Sequence, residues 1–315
     1  MTTPFQQALT AGDLEAIRRC PKADLHNHGP GSANRAFMKA RTGHDFVPVD
    51  APLASMAQMH AFVDAHNAAA YAGLDMPARR LLGCEGAFVQ ALADGVSRIE
   101  FGDDVWMISQ GCGDAQELNR SLEDLHRRVA PDVEWIPLLS MSRHCSIRAL
   151  DFWLKPFLET DFHKAFDLSG DELAQPIENF VPLYRQAKAR GLRLKAHVGE
   201  WGTADDVWRA VEVLELDEVQ HGIAAADSPA VMRFLADHKI RLNVCPTSNI
   251  KLGRVADMAA HPIRRLFDAG IRVTVNSDDA LIFGAGVSDE FLGLYRAGVF
   301  TAAELDAIRL NGLRD

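Results

Sequence analysis

The stretch ADLHNHGPGS, residues 23–32, sets two histidines two positions apart, between a short apolar–polar alternation and a glycine-rich turn. Side chains alternate between the two faces of a β-strand, so His26 and His28 are predicted to point to the same face. Two imidazoles at the end of a strand can bind a metal ion, but they can equally be two surface histidines. The pair alone decides nothing, and any further ligands must come from elsewhere in the chain.

Seven further short apolar segments follow this predicted strand. Longer segments of helical periodicity separate them, as in residues 76–95 and 203–215. Alternating strands and helices predict a parallel sheet with right-handed crossovers, and eight such units in 315 residues predict a (β/α)8 TIM barrel of class α/β. The predicted strands are KADLHNH (22–28), VSRIEFG (96–102), VEWIPLLS (133–140), HKAFDLS (163–169), LRLKAHV (192–198), DEVQHG (217–222), IRLNVCP (240–246) and IRVTVNSDD (271–279).

Residues 31–75 are longer than one connection in such a barrel needs. The segment is rich in Met, Phe and Ala, so we expect extra helices after the first strand that cap the active-site face; additional outer helices are an equally good interpretation. Met56, Met59 and Phe62 are predicted to form an apolar lid. Because the chain has no internal repeat, low-complexity tract or linker, residues 1–315 are predicted to form a single domain.

Composition argues against several classes of protein. Hydrophobic residues make up 48% of the chain, which is enough for a large core, and the formal net charge of -10 argues against a nucleic-acid partner. No run of about 18 apolar residues could span a bilayer, and the first residues lack an apolar signal core, so a cytoplasmic location is expected. Five widely spaced cysteines without a CxxC pair predict free thiols rather than disulfides or a cysteine zinc cluster.

Several predicted strands carry polar residues where they end. Catalytic groups of such barrels lie at the carboxyl ends of the strands. Any one of these residues alone is most simply a surface residue, a hydrogen-bonded core residue or a helix cap, but coincidence at four strand ends is much less expected. The four ends carry His26 and His28, His197 and Glu200, His221, and Asp278 and Asp279. The other histidines are assigned no role.

The motifs PKADLHNH, DLSGDE, KAHVGEWG, VQHGI, CPTSNIKLG and NSDDALIFG, taken in order, resemble the adenosine deaminase family of the amidohydrolase superfamily. The resemblance runs from about residue 21 to about residue 312, and the combination of HxH, HxGE, HG and SDD is highly specific. It implies a barrel with one zinc ion per chain. The zinc ligands that it implies are His26, His28, His197 and Asp278.

The chemistry of this ligand set agrees with that implication. Three imidazoles and a carboxylate suit zinc and leave a coordination position for water. Zinc lowers the pKa of bound water from about 15.7 towards about 7, so hydroxide can attack an electron-poor ring carbon that bears an amino group. The resemblance implies that Glu200 protonates the adjacent ring nitrogen and that His221 orients or deprotonates the water. It also implies that Asp279 and the backbone N–H of Gly170 bind other ring nitrogens. Release of ammonia makes the reaction a hydrolytic deamination.

The sequence departs from the family where a ribose would bind. Relatives that act on adenosine commonly carry HxHLDG at the first strand, and their aspartate holds a ribose hydroxyl. Here Pro30 stands at that position and offers no side-chain hydrogen bond. Ala280 replaces the proline of a DDP motif, and the C-terminal helices after LDAIRLNGLRD are expected to be short or absent. Adenosine is therefore expected to be a poor substrate, and the substrate to be another aminated purine-like heterocycle: a free base, a modified nucleoside or an analogue.

Two other functions stay open at this point. A different amidohydrolase could cleave a ring amide or ester, but two-metal members often need a carboxylated lysine from the fourth strand, and Lys164 lies near the start of that strand rather than its end. A non-catalytic binding protein on the same fold is the third interpretation. The complete ligand set, together with Glu200 and His221, disfavours it. The oligomeric state is not predicted by the sequence.

Overall fold

The computed structural model describes residues 2–314. Its strands form one parallel sheet of eight, in which each strand pairs with the next along the chain. The predicted (β/α)8 barrel is therefore confirmed. The strands are β1 (Lys22–Asp24), β2 (Val96–Asp104), β3 (Glu134–Ser142), β4 (Ala165–Ser169), β5 (Arg193–Val198), β6 (Glu218–His221), β7 (Arg241–Val244) and β8 (Arg272–Val275).

Helices connect successive strands, and additional helices precede β1 and follow β8. Four of the connections also contain a short 3₁₀ segment, at Gly29–Ser32, Val105–Gln110, Ile177–Phe180 and Ile223–Asp227. The α-helices are α1 (Pro4–Ala11), α2 (Leu14–Arg18), α3 (Arg35–Thr42), α4 (Met56–Ala70), α5 (Met76–Ala93), α6 (Ala115–Val129), α7 (Ile147–Leu158), α8 (Val181–Ala189), α9 (Ala204–Leu214), α10 (Pro229–Asp237), α11 (Pro246–Lys251), α12 (Ile263–Asp268), α13 (Ala280–Phe283), α14 (Val287–Arg296) and α15 (Ala302–Leu313).

Side chains close the seam between β8 and β1. The amide oxygen of Asn276 accepts a hydrogen bond from the backbone N–H of Leu25 at 2.8 Å. The carboxylate of Asp24 accepts two from Ser277, one from its backbone N–H at 3.1 Å and one from its hydroxyl at 2.5 Å. Helix α15 packs against both strands on the outside. The first and last strands are thus joined by buried polar contacts where a regular ladder would otherwise be needed.

The first strand is shorter than predicted. It ends at Asp24, so His26 and His28 lie just beyond it, and the assignment of residues 25–28 to a strand was wrong. The reason is that the chain here bonds to the segment after β8 through side chains and one isolated bridge, Asn27 to Asp278, rather than through a ladder. Strands β2 and β3 run two residues further than predicted.

The extra helices expected after the first strand are present. Helices α3 and α4 lie between β1 and α5, and their apolar side chains form a small core of their own with residues from the loops after β7 and β8. Met38, Phe46 and Met59 are buried there against Leu252 and Ile282. Burying each such side chain contributes about 1.5–3 kcal/mol, so the cap is held to the barrel mouth by apolar contacts.

Two further features follow from the described residues. Within residues 2–314, no helix combines the length and the apolar character that crossing a membrane requires. The five cysteines carry free thiols.

A buried histidine near the start of β4 should make the fold sensitive to acid. His163 is 6% exposed, packs edge-on against Phe157 and Phe162, and its Nδ1 has no hydrogen-bond partner among residues 2–314. Burial lowers the pKa of His163 to about 3. The folded chain therefore keeps the ring neutral, while the unfolded chain takes up a proton below about pH 6.5, and stability falls as the pH falls.

We expect His163→Phe to remove this component of the acid sensitivity. As the pH falls from about 6 to about 4, the unfolding free energy of the variant minus that of the wild type should increase by up to about 1.4 kcal/mol for each pH unit. Urea unfolding at several pH values measures this difference. Parallel pH profiles for the two proteins would contradict it.

Candidate active site

The segments after β1 and β8 meet in a pair of backbone hydrogen bonds. The N–H of His28 donates to the carbonyl of Asp278 at 3.2 Å, and the N–H of Asp278 donates to the carbonyl of His26 at 3.0 Å. Asp278 has a φ of 60°, and His221 at the end of β6 has a φ of 63°. Left-handed backbone is uncommon outside glycine and costs about 1–3 kcal/mol, and such strain clusters at functional sites.

Four side chains from three strand ends converge on one point. The Nε2 atom of His197 lies 3.0 Å from Nε2 of His26 and 3.1 Å from Nε2 of His28. The Oδ1 atom of Asp278 lies 3.4 Å and 3.1 Å from the same two histidine nitrogens. These are the four residues that the family resemblance implies as ligands, and the structure brings all four together.

The ring nitrogens turned away from this point are bonded in a way that fixes the tautomer. Nδ1 of His26 donates to the carbonyl of Asn243 at 3.0 Å, because a carbonyl can only accept. Nδ1 of His197 lies 3.1 Å from the carboxylate of Asp167 on β4. Both Nε2 atoms are thereby left with free lone pairs, which is the arrangement that metal-binding histidines require.

The cluster fits a tetrahedral zinc ion. Ligand atoms about 2.0–2.1 Å from a zinc ion lie about 3.3 Å from each other at tetrahedral angles, close to the spacing of these four atoms. Lone pairs of neutral imidazoles facing each other at 3.0–3.1 Å repel unless a cation or proton lies between them. The donor set and its spacing therefore suit a bound zinc ion.

A second group of candidate ligands overlaps the first. It combines His26 and Asp278 with His221 and Cys245. Metal binding by cysteine requires the thiolate, but burial, followed by the charge of Asp278, raises the pKa of Cys245 well above its usual range. The set with His28 and His197 is therefore chemically better suited to a metal.

Glu200 and His221 lie side by side next to this cluster. Burial, followed by the charges of Asp278 and Glu172, raises the pKa of Glu200 well above its usual range, which favours the protonated form of its carboxyl group. Burial and the neighbouring His26 ring lower the pKa of His221 well below its usual range, so its imidazole is neutral. A proton donor and a proton acceptor are thus both present.

A buried asparagine joins these two groups. The side-chain amide of Asn249, within α11, donates to Oε1 of Glu200 at 3.0 Å and lies 3.2 Å from Nδ1 of His221. Its own oxygen lies 3.2 Å from Nε2 of His261. The asparagine belongs to the CPTSNIKLG motif but was assigned no role from the sequence, because only the fold places α11 against Glu200.

Asp279 and Gly170 line the same cavity as the cluster. Burial and the adjacent charge of Asp278 raise the pKa of Asp279 to about 7, although the nearby His28 opposes this. The backbone of Gly31 lies against its carboxyl group, since a Cβ on Gly31 would come within 1.6 Å of Oδ1. Gly170 has a φ of 84°, a conformation that favours glycine.

The cavity has a volume of about 500 Å³ and is roofed by the cap. Met56 and Met59 of α4 line it as predicted. The prediction for Phe62 was wrong: its ring packs inside the cap against Phe46 and His66 because it lies on another face of α4. Two histidines that were assigned no role, His60 and His144, also line the cavity.

Lys164 lies away from this cluster. It is exposed, directly precedes β4, and its backbone N–H bonds to the carbonyl of Pro137. A lysine at the start of the strand is at the opposite end of the barrel from the candidate ligands, as the sequence indicated.

Comparison with known proteins gives the family. The family model described as adenosine deaminase matches residues 154–315, about half of the chain. A putative adenosine/adenine deaminase of Treponema pallidum is 32% identical over 296 residues, which cover 94% of this chain and 98% of that protein. The chain belongs to the adenosine deaminase family. As a member of that family it is a deaminase-type enzyme with a candidate metal site.

Other proteins resemble this adenosine deaminase family member in sequence or in fold. An adenine deaminase of Acinetobacter baylyi is 27% identical over 94% of this chain and 92% of that protein. The crystal structure of an adenine deaminase from Arthrobacter aurescens superposes with a TM-score of 0.78 at 25% identity, covering 93% of each chain. An amidohydrolase from Burkholderia ambifaria, solved with bound Zn, superposes with a TM-score of 0.79 at 23% identity over 96% of this chain and 87% of that one, which speaks for the fold alone.

One contact in this family member holds the loop that carries Glu200. The buried carboxylate of Glu172 accepts three backbone N–H groups, from Gly199 at 2.6 Å, Glu200 at 3.1 Å and Trp201 at 2.7 Å. Glu172 belongs to the DLSGDE motif but was assigned no role, because nothing in the sequence shows which backbone its carboxylate meets. Its position makes it a residue that orients Glu200.

We expect Glu172→Gln to loosen this loop. The amide group of glutamine has one acceptor oxygen, so its NH₂ group would face a backbone donor and leave it unpaired, at a cost of about 1–3 kcal/mol. Urea unfolding should show that loss, and hydrogen exchange should speed up at the amides of residues 199–201. The exposed Glu159→Gln serves as control and should alter neither measurement. Unchanged exchange at residues 199–201 would contradict the assignment.

Proposed function

We propose that this protein is a zinc-dependent hydrolytic deaminase of an aminated purine-like heterocycle. The observation that carries the proposal is the convergence of four ligand atoms, 3.0–3.4 Å apart, beside the carboxyl group of Glu200 and the imidazole of His221 in one roofed cavity. These are the groups that addition of water to a ring carbon and departure of ammonia require.

The metal would be held by His26, His28, His197 and Asp278. When bound, zinc supplies a water molecule whose pKa is lowered towards neutrality. The hydrogen bonds from the rear of His26 and His197 keep both rings in the orientation that binding requires and raise their basicity.

Glu200 acts as the general acid. Its proton is held by burial and by neighbouring negative charge, and it lines the cavity in which the heterocycle would lie. Addition of water to the amino-bearing carbon pushes an electron pair onto the adjacent ring nitrogen, and Glu200 gives its proton to that nitrogen. Asn249 and Glu172 hold Glu200 from its side chain and its backbone respectively.

His221 acts on the water. Its ring is neutral, it lines the same cavity, and its Nε2 lies 3.9 Å from Oδ2 of Asp278. It can therefore accept the proton that the attacking water loses and return it to the amino group as the C–N bond breaks. Ammonia leaves, and the ring carbon keeps the oxygen.

Asp279 and Gly170 orient the ring. Asp279 is poised to share a proton with one ring nitrogen, and the backbone N–H of Gly170 can donate to another. Met56 and Met59 cover the cavity and exclude water from the apolar faces of the ring. Pro30, which lacks a hydrogen-bonding side chain, supports a substrate that differs from adenosine where the ribose would lie.

The metal part of the proposal predicts one zinc ion per chain. Elemental analysis of the purified protein should give a ratio near one, and His197→Ala should lower it severalfold or more, because one ligand of four is lost. The exposed His238→Ala is the matched control and should leave the ratio unchanged. A ratio near two, or retention of zinc by His197→Ala, would contradict the ligand assignment.

The catalytic part predicts that Glu200→Gln keeps zinc and loses turnover by about 10²-fold or more, since glutamine retains the shape but has no acidic proton. Ammonia release from a panel of aminated purines, pterins and pyrimidines measures this. Near-normal turnover of the variant would contradict the role of Glu200. Hydrolysis of a ring amide or ester without ammonia would favour a different amidohydrolase, and binding without any turnover would favour a non-catalytic protein.

A further inference from the structure

A second cavity adjoins the candidate active site. It has a volume of about 320 Å³ and shares three wall residues with the first cavity, His28, Trp106 and Ser169. Pro30 forms part of its wall. The second cavity therefore begins where the ribose-binding acid of the family is replaced, and a substituent on the heterocycle can extend into it from the first cavity.

An arginine without a counter-ion lines this second cavity. Arg79, in the first turns of α5, is half-buried, and its Nε donates to the carbonyl of Leu74 at 2.8 Å. No carboxylate of residues 2–314 lies within 4.0 Å of its guanidinium nitrogens. Its neighbour Arg80 differs, because both ends of its guanidinium are paired with Asp103 at 2.6 Å and 2.5 Å. A half-buried guanidinium with unused donors is suited to bind an anionic oxygen group.

Two neutral polar side chains accompany Arg79. Tyr71 is 6% exposed and Asn67 is half-buried, both line the second cavity, and neither side chain has a hydrogen-bond partner among residues 2–314. Burial raises the pKa of Tyr71 to about 12, so the phenol stays a donor, while the charge of Arg79 acts in the opposite direction, which places the two groups within electrostatic reach of each other. The polar groups of Asn67, Tyr71 and Arg79 that face the second cavity are therefore free to bond a ligand.

The acidic residues of the second cavity do not oppose an anion. Asp103 is neutralised by its two-point contact with Arg80. Asp104 is engaged by the hydroxyl of Ser142 at 2.5 Å and by the backbone N–H of Trp106 at 3.1 Å, and burial raises its pKa to about 7. Among the described residues, Arg79 is thus the cation of this wall that lacks a carboxylate partner, and the raised pKa of Asp104 lessens the negative charge that would oppose an anion.

We infer that the second cavity is a subsite for an anionic substituent of the substrate, a carboxylate or a phosphate, with Arg79 as its counter-ion and Tyr71 and Asn67 as neutral donors. The inference rests on the proposed deaminase function, because it assigns the heterocycle to the first cavity. It narrows the substrate class to aminated purine-like rings that carry an acidic group on the side facing Pro30.

The experiment compares pairs of compounds with and without an anionic group. One pair is adenine with a carboxyethyl group on its sugar-bearing nitrogen and the corresponding carboxamide; the other is adenosine monophosphate and adenosine. In the pair that fits the subsite, kcat/KM for the anionic compound should exceed kcat/KM for its neutral partner by about tenfold or more. Arg79→Gln should bring the ratio of these two kcat/KM values close to one. The pair that shows the effect distinguishes carboxylate from phosphate.

Two variants complete the design. Tyr71→Phe should lower kcat/KM for the preferred anion by about threefold to tenfold, since it removes one neutral hydrogen bond. The exposed Arg120→Gln, which carries the same change of charge on α6, should leave the ratio as in the wild type. A merely structural effect of Arg79→Gln would lower both members of a pair alike. Wild-type ratios near one, or ratios that Arg79→Gln does not change, would overturn the inference.

Failure of the proposed function is distinguishable from failure of the subsite. If no compound releases ammonia, the deaminase proposal fails, and calorimetric binding of the same pairs then decides the inference by itself. Tighter binding of the anion that is lost in Arg79→Gln would support the subsite. Equal binding of the charged and neutral members would overturn it.

Discussion

The structure depends on how the chain joins its first strand to its last. Two backbone hydrogen bonds between the segment 26–28 and Asp278 close the barrel where β8 and β1 form no ladder. The same bonds fix three of the four candidate ligands relative to one another, since His26, His28 and Asp278 are the residues that make them. Closure of the barrel and assembly of the site are therefore one event, and a change that opens the seam would also disperse the ligands.

Burial determines the chemistry of the groups around this seam. Removal from water and the neighbouring charges raise the pKa of Glu200 and lower the pKa of His221. Burial therefore favours a proton on the carboxyl group of Glu200 and a neutral imidazole at His221. Keeping such groups in place requires hydrogen bonds from outside the reacting set. Asn249 and Glu172 provide them for Glu200, one to its side chain and the other to the backbone of its loop.

The interior of the barrel, further from the site, also buries charged side chains that depend on one another. Lys195 is fully buried between Glu100 at 2.6 Å and Glu218 at 2.8 Å, and Arg241 pairs with Glu218 as well. Removing one member of such a group would leave a buried charge unpaired, which is strongly destabilising. Lys195 precedes the candidate ligand His197 on β5, and Glu218 precedes His221 on β6, so these ion pairs lie on the amino-terminal side of the candidate site.

The sequence by itself determined the barrel and the set of residues that meet at the strand ends, and it indicated extra helices after the first strand without deciding that they cap the site. Strand and helix periodicities differ, and eight repeats of the alternation leave few topologies. The motifs around His26, His197, His221 and Asp278 were readable because carboxyl ends of parallel strands share one edge. Only the tertiary structure decided where β1 ends, that Phe62 turns into the cap, and that His60 and His144 line the cavity. The roles of Glu172 and Arg79 could not be predicted from the sequence either. The role of Glu172 depends on which backbone N–H groups its carboxylate accepts, and the role of Arg79 depends on the absence of a carboxylate near its guanidinium. Both are decided by residues that are distant in the chain and close in the fold.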